Sequence, residues 1–194
     1  GLTEAILHND WAKENNITNG AMYLKLWLVS LIKQPTKALP YLCFWGDQDN
    51  GKSSYHEAIT EILIENGHVR AEAALLSQGN FNGELLGKIL AIVEEVDLRK
   101  NQAAANKMKD WVTGSEISIH MKMQTPFNAR NYLHWIQCVN KWQYCPITVG
   151  DTRITMVHVG PLKEKIGRDE LRLRLKKEAP DFLASVLATE IPYN

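Results

Sequence analysis

The sequence predicts an α/β fold with a mostly parallel central sheet. Three short apolar runs carry this prediction: YLCFWG at 41–46, the centre of LGKILAIVEEVD at 86–97, and YLHWIQCVN at 132–140. Runs that are apolar on both faces are typical of strands buried in a parallel sheet, and helix-like segments separate these three. A polar loop follows the first run and acids follow the second, at the strand ends where α/β proteins carry their chemistry.

Helical spacing and the positions of Pro and Gly define the other elements. Segment 20–33 is apolar at helical length, and the prolines at 35 and 40 prevent its continuation. Further helices are predicted at 2–16, 52–66 and 101–114, and alternating strands at 116–123 and 153–160. Segment 68–83 is ambiguous, QTPFNARN at 124–131 is typical of a turn, and the tail at 167–192 predicts two short helices broken near Pro180.

Composition narrows the class of protein. Lys plus Arg and Asp plus Glu both number 22, so a net charge of zero gives no long-range attraction to polyanions, and nucleic-acid binding would need a local basic patch. The three cysteines, Cys43, Cys138 and Cys145, have no metal-like spacing and favour a reducing, cytoplasmic compartment. There is no signal-peptide pattern and no apolar run of bilayer length, so we expect no membrane partner.

The order of elements predicts three regions. They are a helical collar or linker at 1–36, a core at 37–162, and a C-terminal helical segment at 163–194. The chain starts at Gly1 without a methionine and stops soon after ATEIPY, so we expect an excised piece of a longer polypeptide.

The loop GDQDNGKS, from Gly46 to Ser53, fits the pattern G-x-x-x-x-G-K-[ST]. Glycines let backbone N–H groups turn inward around an anion, and the following helix directs its positive end to the same point. Lys52 would reach the β- and γ-phosphates, and the Ser53 hydroxyl would ligate Mg²⁺. The other predicted nucleotide contacts are Asp49, Asn50, Gly51 and Ser54. A chance match in an exposed turn is the alternative, but the strand before and the helix after favour a phosphate site.

Paired acids follow the second apolar run. One carboxylate of Glu94 and Glu95 can hold Mg²⁺, and the other can polarise an attacking water. Adjacent acids also cap strands at protein surfaces, although a buried strand beside a phosphate loop favours the catalytic interpretation. Asp97 is nearby and has at most a minor role.

A strand-ending asparagine and an arginine complete the candidate set. Asn140 could orient the lytic water, and Arg153 could stabilise charge on the transferred phosphoryl group from a neighbouring subunit. Taken alone, each residue fits a simpler interpretation better: Asn140 as the start of a turn, and Arg153 as a strand-end arginine paired with Asp151.

Together these motifs resemble the helicase domain of superfamily 3, a branch of the AAA+ ATPases that replicates small viruses, phages and mobile elements. The resemblance rests on GDQDNGKSS, LAIVEEVD, NKMKDWVTGSEISIHMKM, HWIQCVN and GDTRITMV, which follow the family's order from about 46 to 159. The primase-helicase type of phages and integrated elements is the most similar. The resemblance implies an AAA+-like P-loop core with an inserted β-hairpin.

The resemblance also implies roles by position. ATP and Mg²⁺ would bind Lys52 and Ser53, with Glu94 on the metal. Catalysis would use Glu94, Glu95, Asn140 as sensor, and Arg153 acting across the interface of a ring, with a hexamer as the expected assembly. A primase or polymerase domain would lie upstream in the same polypeptide.

The hairpin between Glu116 and about Asn131 would grip single-stranded DNA in the channel of such a ring. Its tip departs from the family pattern because Lys122 is the only Lys or Arg there, with His120 beside it. Lys107, Lys109 and Arg130 are weaker candidates for DNA contact. An isolated exposed lysine is equally compatible with an ordinary strand surface.

Two other classes of function remain open from the residues. A P-loop small-molecule kinase would explain GDQDNGKSS equally well, although GRDELRLRLKK is the nearest sequence to a mobile arginine lid and its leucine spacing suits a packing helix. An assembly or packaging ATPase would bind nucleotide without unwinding DNA. For the assembly or packaging ATPase, the intact Lys52, Glu94 and Glu95 argue against a loss of hydrolysis, although they do not show strand separation.

Overall fold

The computed structural model of the chain describes residue 14 and residues 16–63, 66–148 and 151–192, so the predicted helix at 2–16 falls almost wholly outside the described residues. The strands are β1 (Tyr41–Trp45), β2 (His68–Arg70), β3 (Leu90–Glu94), β4 (Glu116–Ile119), β5 (Phe127–Arg130), β6 (His134–Val139) and β7 (Ile154–His158). The α-helices are α1 (Gly20–Lys33), α2 (Ser54–Ile62), α3 (Glu72–Leu76), α4 (Gln102–Thr113) and α5 (Arg168–Ala188).

Five strands form one sheet in the order β2-β3-β6-β1-β7. Every neighbouring pair in this sheet is parallel, which confirms the predicted α/β class and exceeds the mostly parallel expectation. Because β6 lies between β1 and β3, the carboxyl ends of these three strands lie side by side. The loop after β1, the acids after β3 and Asn140 after β6 therefore share one edge of the sheet.

Alternation along the strands separates two hydrophobic layers. On one face Leu42, Ile92 and Ile136 pack with apolar side chains of α1, α2 and α5. On the other face Cys43 and Trp135 pack with α3, α4 and the inner side chains of β4. The sheet is therefore covered on both sides, as its fully buried strands require.

Strands β4 and β5 form a separate antiparallel pair, with Glu116 opposite Arg130 and Ile119 opposite Phe127. Asn82 fastens the loop before β3 to this pair. Its side chain, 2% exposed, donates to the Ser118 carbonyl at 2.9 Å and accepts from the His120 N–H at 2.7 Å. The loop and the strand pair thus form one hydrogen-bonded unit.

The structure corrects the prediction for the tail. The predicted break near Pro180 is wrong, because α5 runs without interruption from Arg168 to Ala188. An interior proline costs a helix about 3 kcal/mol. After Pro180, Phe182 packs against the buried cluster and Val186 is fully buried in it, so tertiary packing offsets that cost.

The structure also resolves one ambiguous segment and corrects two predicted ones. The ambiguous segment 68–83 contains β2 and α3, and the predicted turn at 124–131 contains β5. The predicted helix at 52–66 is shorter, since α2 starts at Ser54 and ends at Ile62. Helix α2 starts two residues later than predicted because Lys52 and Ser53 still belong to the loop.

The predicted region boundaries after 36 and after 162 stay a prediction. Helices α1 and α5 pack on the same face of the sheet, and the Lys33 ammonium reaches the Thr189 carbonyl at 2.7 Å. None of the helices in the described part of the chain is both long enough and apolar enough to cross a bilayer. The three cysteines are buried free thiols.

Candidate functional site

The loop from Gly46 to Ser53 leaves β1 at the carboxyl edge of the sheet and leads into α2. A methyl group on Gly46 would come within 2.2 Å of the Val159 carbonyl oxygen, so only glycine fits there. Asp49 and Gly51 adopt left-handed backbone conformations with φ of 60° and 77°. Asn50 is 7% exposed and donates to Val159, which fastens the loop to the end of β7.

Lys52 folds back over the loop. Its ammonium donates to the carbonyls of Gly46 at 3.0 Å and Asp47 at 2.6 Å. The cation thus lies inside the curve of the loop, next to the amino end of α2, where the helix dipole also favours an anion. The Lys52 ammonium and the amino end of α2 thus both supply positive charge inside the curve of the loop.

Ser53 and Glu94 meet between the loop and β3. The Ser53 hydroxyl donates to Glu94 Oε1 at 2.8 Å, which brings together the two residues predicted to hold Mg²⁺. A hydroxyl and a carboxylate are hard oxygen ligands of the kind that Mg²⁺ prefers. The donor set therefore fits this ion.

Two further residues hold the same carboxylate. The His56 ring nitrogen Nε2 lies 2.9 Å from Glu94 Oε1, and the Arg70 guanidinium binds Oε2 at 2.5 Å. Burial by itself raises the pKa of Glu94, but hydrogen bonds from Arg70, Ser53 and His56 outweigh it and lower the pKa to about 2. Glu94 is therefore ionised throughout the physiological range.

Glu95 and Asn140 are exposed at the same edge. Glu95 has a φ of 56°, an unfavourable backbone conformation for this residue, and its N–H donates to the Cys138 carbonyl at 2.9 Å. The turn directs Glu95 away from the buried side of β3. Asp97 instead caps the short helix that follows, accepting from the Arg99 N–H at 3.2 Å.

Arg153 lies at the opposite edge of the sheet. It precedes β7, and its carbonyl accepts from the N–H of Tyr41, the first residue of β1. Its guanidinium binds the Asp151 carboxylate at 2.9 and 3.2 Å, and this hydrogen bonding raises the pKa of Arg153. One strand length, roughly 15 Å, separates Arg153 from the loop of its own chain.

Lys122 and His120 lie at the tip of the β4–β5 pair. Lys122 is exposed in the connecting turn, and the His120 ring packs against the Phe81 ring with 4.9 Å between centroids. Phe127 begins β5 opposite Ile119 and is 42% exposed. The tip thus presents one lysine beside several aromatic rings.

The other three predicted DNA contacts lie elsewhere. Lys107 donates to the Ser77 carbonyl at 2.9 Å, and Lys109 lies 3.4 Å from the buried Asp151 carboxylate. Arg130 is at the base of the pair, roughly 10 Å along the strand from the tip, with its guanidinium 5.7 Å from the Tyr132 ring centroid. The structure does not bring these cations to the tip.

A cavity of about 260 Å³ lies away from these residues. Its apolar wall includes Tyr23, Trp27 and Pro40, and Pro40 precedes the amino end of β1. The cavity is therefore at the edge of the sheet opposite the loop. It contributes nothing to the geometry around Glu94.

His56, Arg70 and Phe81 were absent from the sequence-based site. His56 is three residues after Ser53, one helical turn along the same face, so helical spacing could have identified it. Arg70 reaches Glu94 only because β2 pairs with β3, and segment 68–83, which contains β2, was ambiguous from the sequence. Phe81 packs against His120 because the Asn82 hydrogen bonds hold its loop to the β4–β5 pair, a tertiary contact that the sequence alone does not reveal.

The protein is of the α/β class. A glycine loop, the start of a helix and the ionised Glu94 carboxylate meet at the carboxyl edge of its parallel sheet, where α/β proteins bind ligands. Residues 44–154, over half of the chain, match DUF5906, a protein family of unknown function. The chain belongs to that family. Comparison with curated protein sequences finds no match.

Solved structures share this fold. The apo C-terminal region of NrS-1, residues 305–718, is 20% identical with a TM-score of 0.77, over 98% of this chain and 46% of the other. Two A-form apo structures of that region give 21% identity with a TM-score of 0.73 and 19% with 0.75, again over 98% of this chain and 44% and 45% of theirs. The chain spans less than half of the length of these neighbours. At such identities the likeness establishes the fold.

Proposed function

We propose that this chain is the ATP-hydrolysing motor domain of a DNA helicase or translocase of the superfamily 3 type, acting in replication of a phage or mobile element. The contact between the Ser53 hydroxyl and Glu94 Oε1, at 2.8 Å, is the observation that carries the proposal. A hydroxyl from the phosphate loop beside a carboxylate at the end of another strand of the sheet, here β3, is the ligand pair that P-loop NTPases use for Mg²⁺.

The residues around that contact would bind ATP. The Lys52 ammonium, now on the carbonyls of Gly46 and Asp47, would transfer to the β- and γ-phosphates. Bound Mg²⁺ would neutralise the charge that develops on those phosphates. Ser53 and Glu94 would hold the metal, with Arg70 displaced from the carboxylate.

Glu95 and Asn140 would prepare the water. Both side chains are exposed at the carboxyl edge, beside the end of β1 that carries the loop. A carboxylate can accept the proton of the attacking water, and an amide can orient that water by hydrogen bonds. The unfavourable φ of Glu95 is a kind of strain that often accompanies catalytic positions.

Arg153 would complete the site of a neighbouring subunit. It is one strand length from its own loop, so it can reach a phosphate only on another chain. A ring, with six subunits as the family resemblance implies, would place the Arg153 of one chain at the Glu94 edge of the next. The Asp151 carboxylate would then preorganise the guanidinium.

The tip of the β4–β5 pair would contact single-stranded DNA. Lys122 would bind a phosphate, and His120, Phe81 and Phe127 would offer rings on which bases stack. A ring of subunits would repeat this contact around a channel. We further propose that a primase or polymerase domain precedes this segment in a longer polypeptide.

DNA-stimulated ATP hydrolysis by the full chain tests this function. We expect single-stranded DNA to raise the hydrolysis rate, and Lys52→Ala to reduce it by at least about 100-fold. Lys176→Ala, an exposed lysine on α5, is the matched control. Unchanged hydrolysis in Lys52→Ala would refute the nucleotide site. Phosphate transfer to a small molecule, with no response to DNA in a preparation shown to form rings, would favour the kinase.

Subunit mixing tests the role of Arg153. Arg153→Ala and Glu95→Gln should each reduce hydrolysis by roughly 1,000-fold or more. Mixed rings should regain part of the activity, because some interfaces then pair an intact Arg153 with an intact Glu95. An Arg153→Ala protein as active as Arg172→Ala, or mixtures without recovery, would contradict an arginine acting between subunits.

A further inference from the structure

Three different metal-binding atoms meet next to the candidate Mg²⁺ position. A ring nitrogen of His56, one carboxylate oxygen of Glu94 and the Cys138 sulfur all lie within 4.8 Å of one another. The imidazole comes from the first turn of α2, the carboxylate from the end of β3, and the thiol from the β6 position opposite Glu94. Three separate elements of the packed core therefore hold these atoms together.

The chemistry of this set differs from that of a magnesium site. Mg²⁺ takes oxygen ligands in an octahedron, whereas a thiolate, an imidazole and a carboxylate suit Zn²⁺ and similar cations. Zinc bonds of about 2.0 to 2.3 Å place tetrahedral ligands roughly 3.3 to 3.7 Å apart. Atoms already within 4.8 Å reach that spacing by small side-chain rotations.

The surroundings supply the other parts of a zinc site. His56 and Cys138 are 5% and 3% exposed, so water is largely excluded from two ligands. The Arg70 guanidinium binds Oε2 of the Glu94 carboxylate, whereas the His56 ring nitrogen lies 2.9 Å from Oε1; hydrogen-bonded partners of this kind orient carboxylates that bind metals. The Ser53 hydroxyl donates to Oε1 of the same carboxylate at 2.8 Å.

The thiol must lose its proton to bind a metal. Burial raises the pKa of Cys138 to about 12, so the free chain carries the neutral thiol. On coordination the sulfur–hydrogen bond breaks, the electron pair stays on sulfur as a metal ligand, and the proton passes to solvent.

We propose that His56, Glu94 and Cys138 form a binding site for one thiophilic divalent cation of the zinc class. Under the proposed function, the site shares the Glu94 carboxylate with Mg²⁺. Occupancy by Zn²⁺ then excludes Mg-ATP and stops hydrolysis, whereas binding of the cation itself does not depend on the proposed function.

Cobalt absorption tests the site directly, because a thiolate bound to Co²⁺ gives a charge-transfer band and tetrahedral Co²⁺ gives intense visible bands. We expect one Co²⁺ per chain with both features, and stoichiometric displacement by Zn²⁺. Cys138→Ser should lose the thiolate band and weaken Zn²⁺ binding by at least about 100-fold. Cys138→Ala is the second variant in case a buried hydroxyl prevents folding. Cys43→Ser, a buried thiol on the other face of the sheet, should keep the band.

The outcomes separate the two proposals. A folded wild-type chain without a thiolate band, or a band that survives in a folded Cys138 variant, overturns the metal site. Cobalt binding without any ATP hydrolysis, in a preparation shown to form rings, supports the site and refutes the motor. If the chain hydrolyses ATP, micromolar Zn²⁺ in excess Mg²⁺ should inhibit it reversibly, and Cys138→Ala should need at least about tenfold more Zn²⁺.

Discussion

Replacing Arg70 by Met tests whether the charge on Glu94 stabilises the carboxyl edge of the sheet. Arg70 binds Glu94 Oε2 at 2.5 Å and lies 3.9 Å from the Glu72 carboxylate. Methionine keeps the aliphatic length of the side chain and removes the guanidinium. The Ser53 and His56 contacts to Oε1 stay in place, so the change isolates one of three partners of the carboxylate.

The expected magnitude follows from the pKa of Glu94. The ordinary value is 4.5 and the value here is about 2, so the charged form is stabilised by at most about 3 kcal/mol. The Glu94 side chain is 24% exposed and that of Arg70 is 57% exposed, so solvent screening reduces the total to roughly 1–2 kcal/mol. We expect Arg70→Met to lower the free energy of unfolding by about 1 kcal/mol, one part of that total.

The sign with pH is fixed by the direction of the shift. A lowered pKa stabilises the fold fully above about pH 4.5, and that stabilisation is lost as the pH falls through about 2. Arg70→Met moves the folded pKa of Glu94 back toward 4.5. The difference in free energy of unfolding between wild type and variant should therefore be largest above pH 5 and shrink toward pH 2.

Urea unfolding at several pH values between 7 and 2 measures this difference. Arg172→Met, an exposed arginine of α5, controls for the loss of one positive charge. A deficit in Arg70→Met that stays constant from pH 6 to pH 2 would show that the residue acts by packing, and would refute the electrostatic reasoning. Under the proposed function the same variant should need about two- to fivefold less Mg²⁺ for half-maximal hydrolysis, because a competing cation is gone.

Three further changes test the supporting structure. Asn82→Ala should lower the free energy of unfolding by urea by about 1–3 kcal/mol and accelerate hydrogen exchange at the His120 amide, which follows β4, whereas Asn128→Ala on exposed β5 should change neither. Gly46→Ala should lower the free energy of unfolding by roughly 2–4 kcal/mol, because the added methyl group would lie 2.2 Å from the Val159 carbonyl oxygen. Gly160→Ala, with open space around it, should change the free energy of unfolding by no more than about 0.5 kcal/mol. Gln137→Leu should lower the free energy of unfolding by about 2–4 kcal/mol, because it removes the hydrogen-bond partners of the buried Tyr41 hydroxyl and the partly buried Val96 carbonyl. A variant as thermally stable as wild type would contradict this account.

The buried strands were predictable because burial on both faces leaves long apolar runs. YLCFW, LAIV and HWIQCV became β1, β3 and β6 with small shifts of their ends. Strand β2 has only three residues, HVR, and no apolar run. Its conformation comes from pairing with β3, through His68 opposite Leu90, so it could not be predicted from the segment alone.

The contact between Ser53 and Glu94 was predictable for a related reason. Motifs that follow buried parallel strands lie at the same edge of the sheet, so the sequence predicted that the loop and the acids share one edge. The contact between Arg70 and Glu94 depends on β2 lying beside β3 at the edge of the sheet. A single sequence contains no record of strand order, so this contact could not have been predicted. The pair between Arg153 and Asp151 is local in sequence, in a turn before β7, and was predictable for that reason.

The segment from Arg70 to Asn82 connects the candidate metal site with the β4–β5 pair. At one end Arg70 binds the Glu94 carboxylate, and Glu72 accepts the Glu94 N–H at 2.7 Å; at the other end Asn82 is hydrogen bonded to His120. Under the proposed function, Mg²⁺ and Arg70 compete for the Glu94 carboxylate. Nucleotide binding would therefore release the Arg70 end of this segment, while the Asn82 end stays hydrogen bonded to β4. Coupling between two binding sites is reciprocal. DNA held at the tip would therefore change the affinity for Mg-nucleotide by the same factor that nucleotide changes the affinity for DNA.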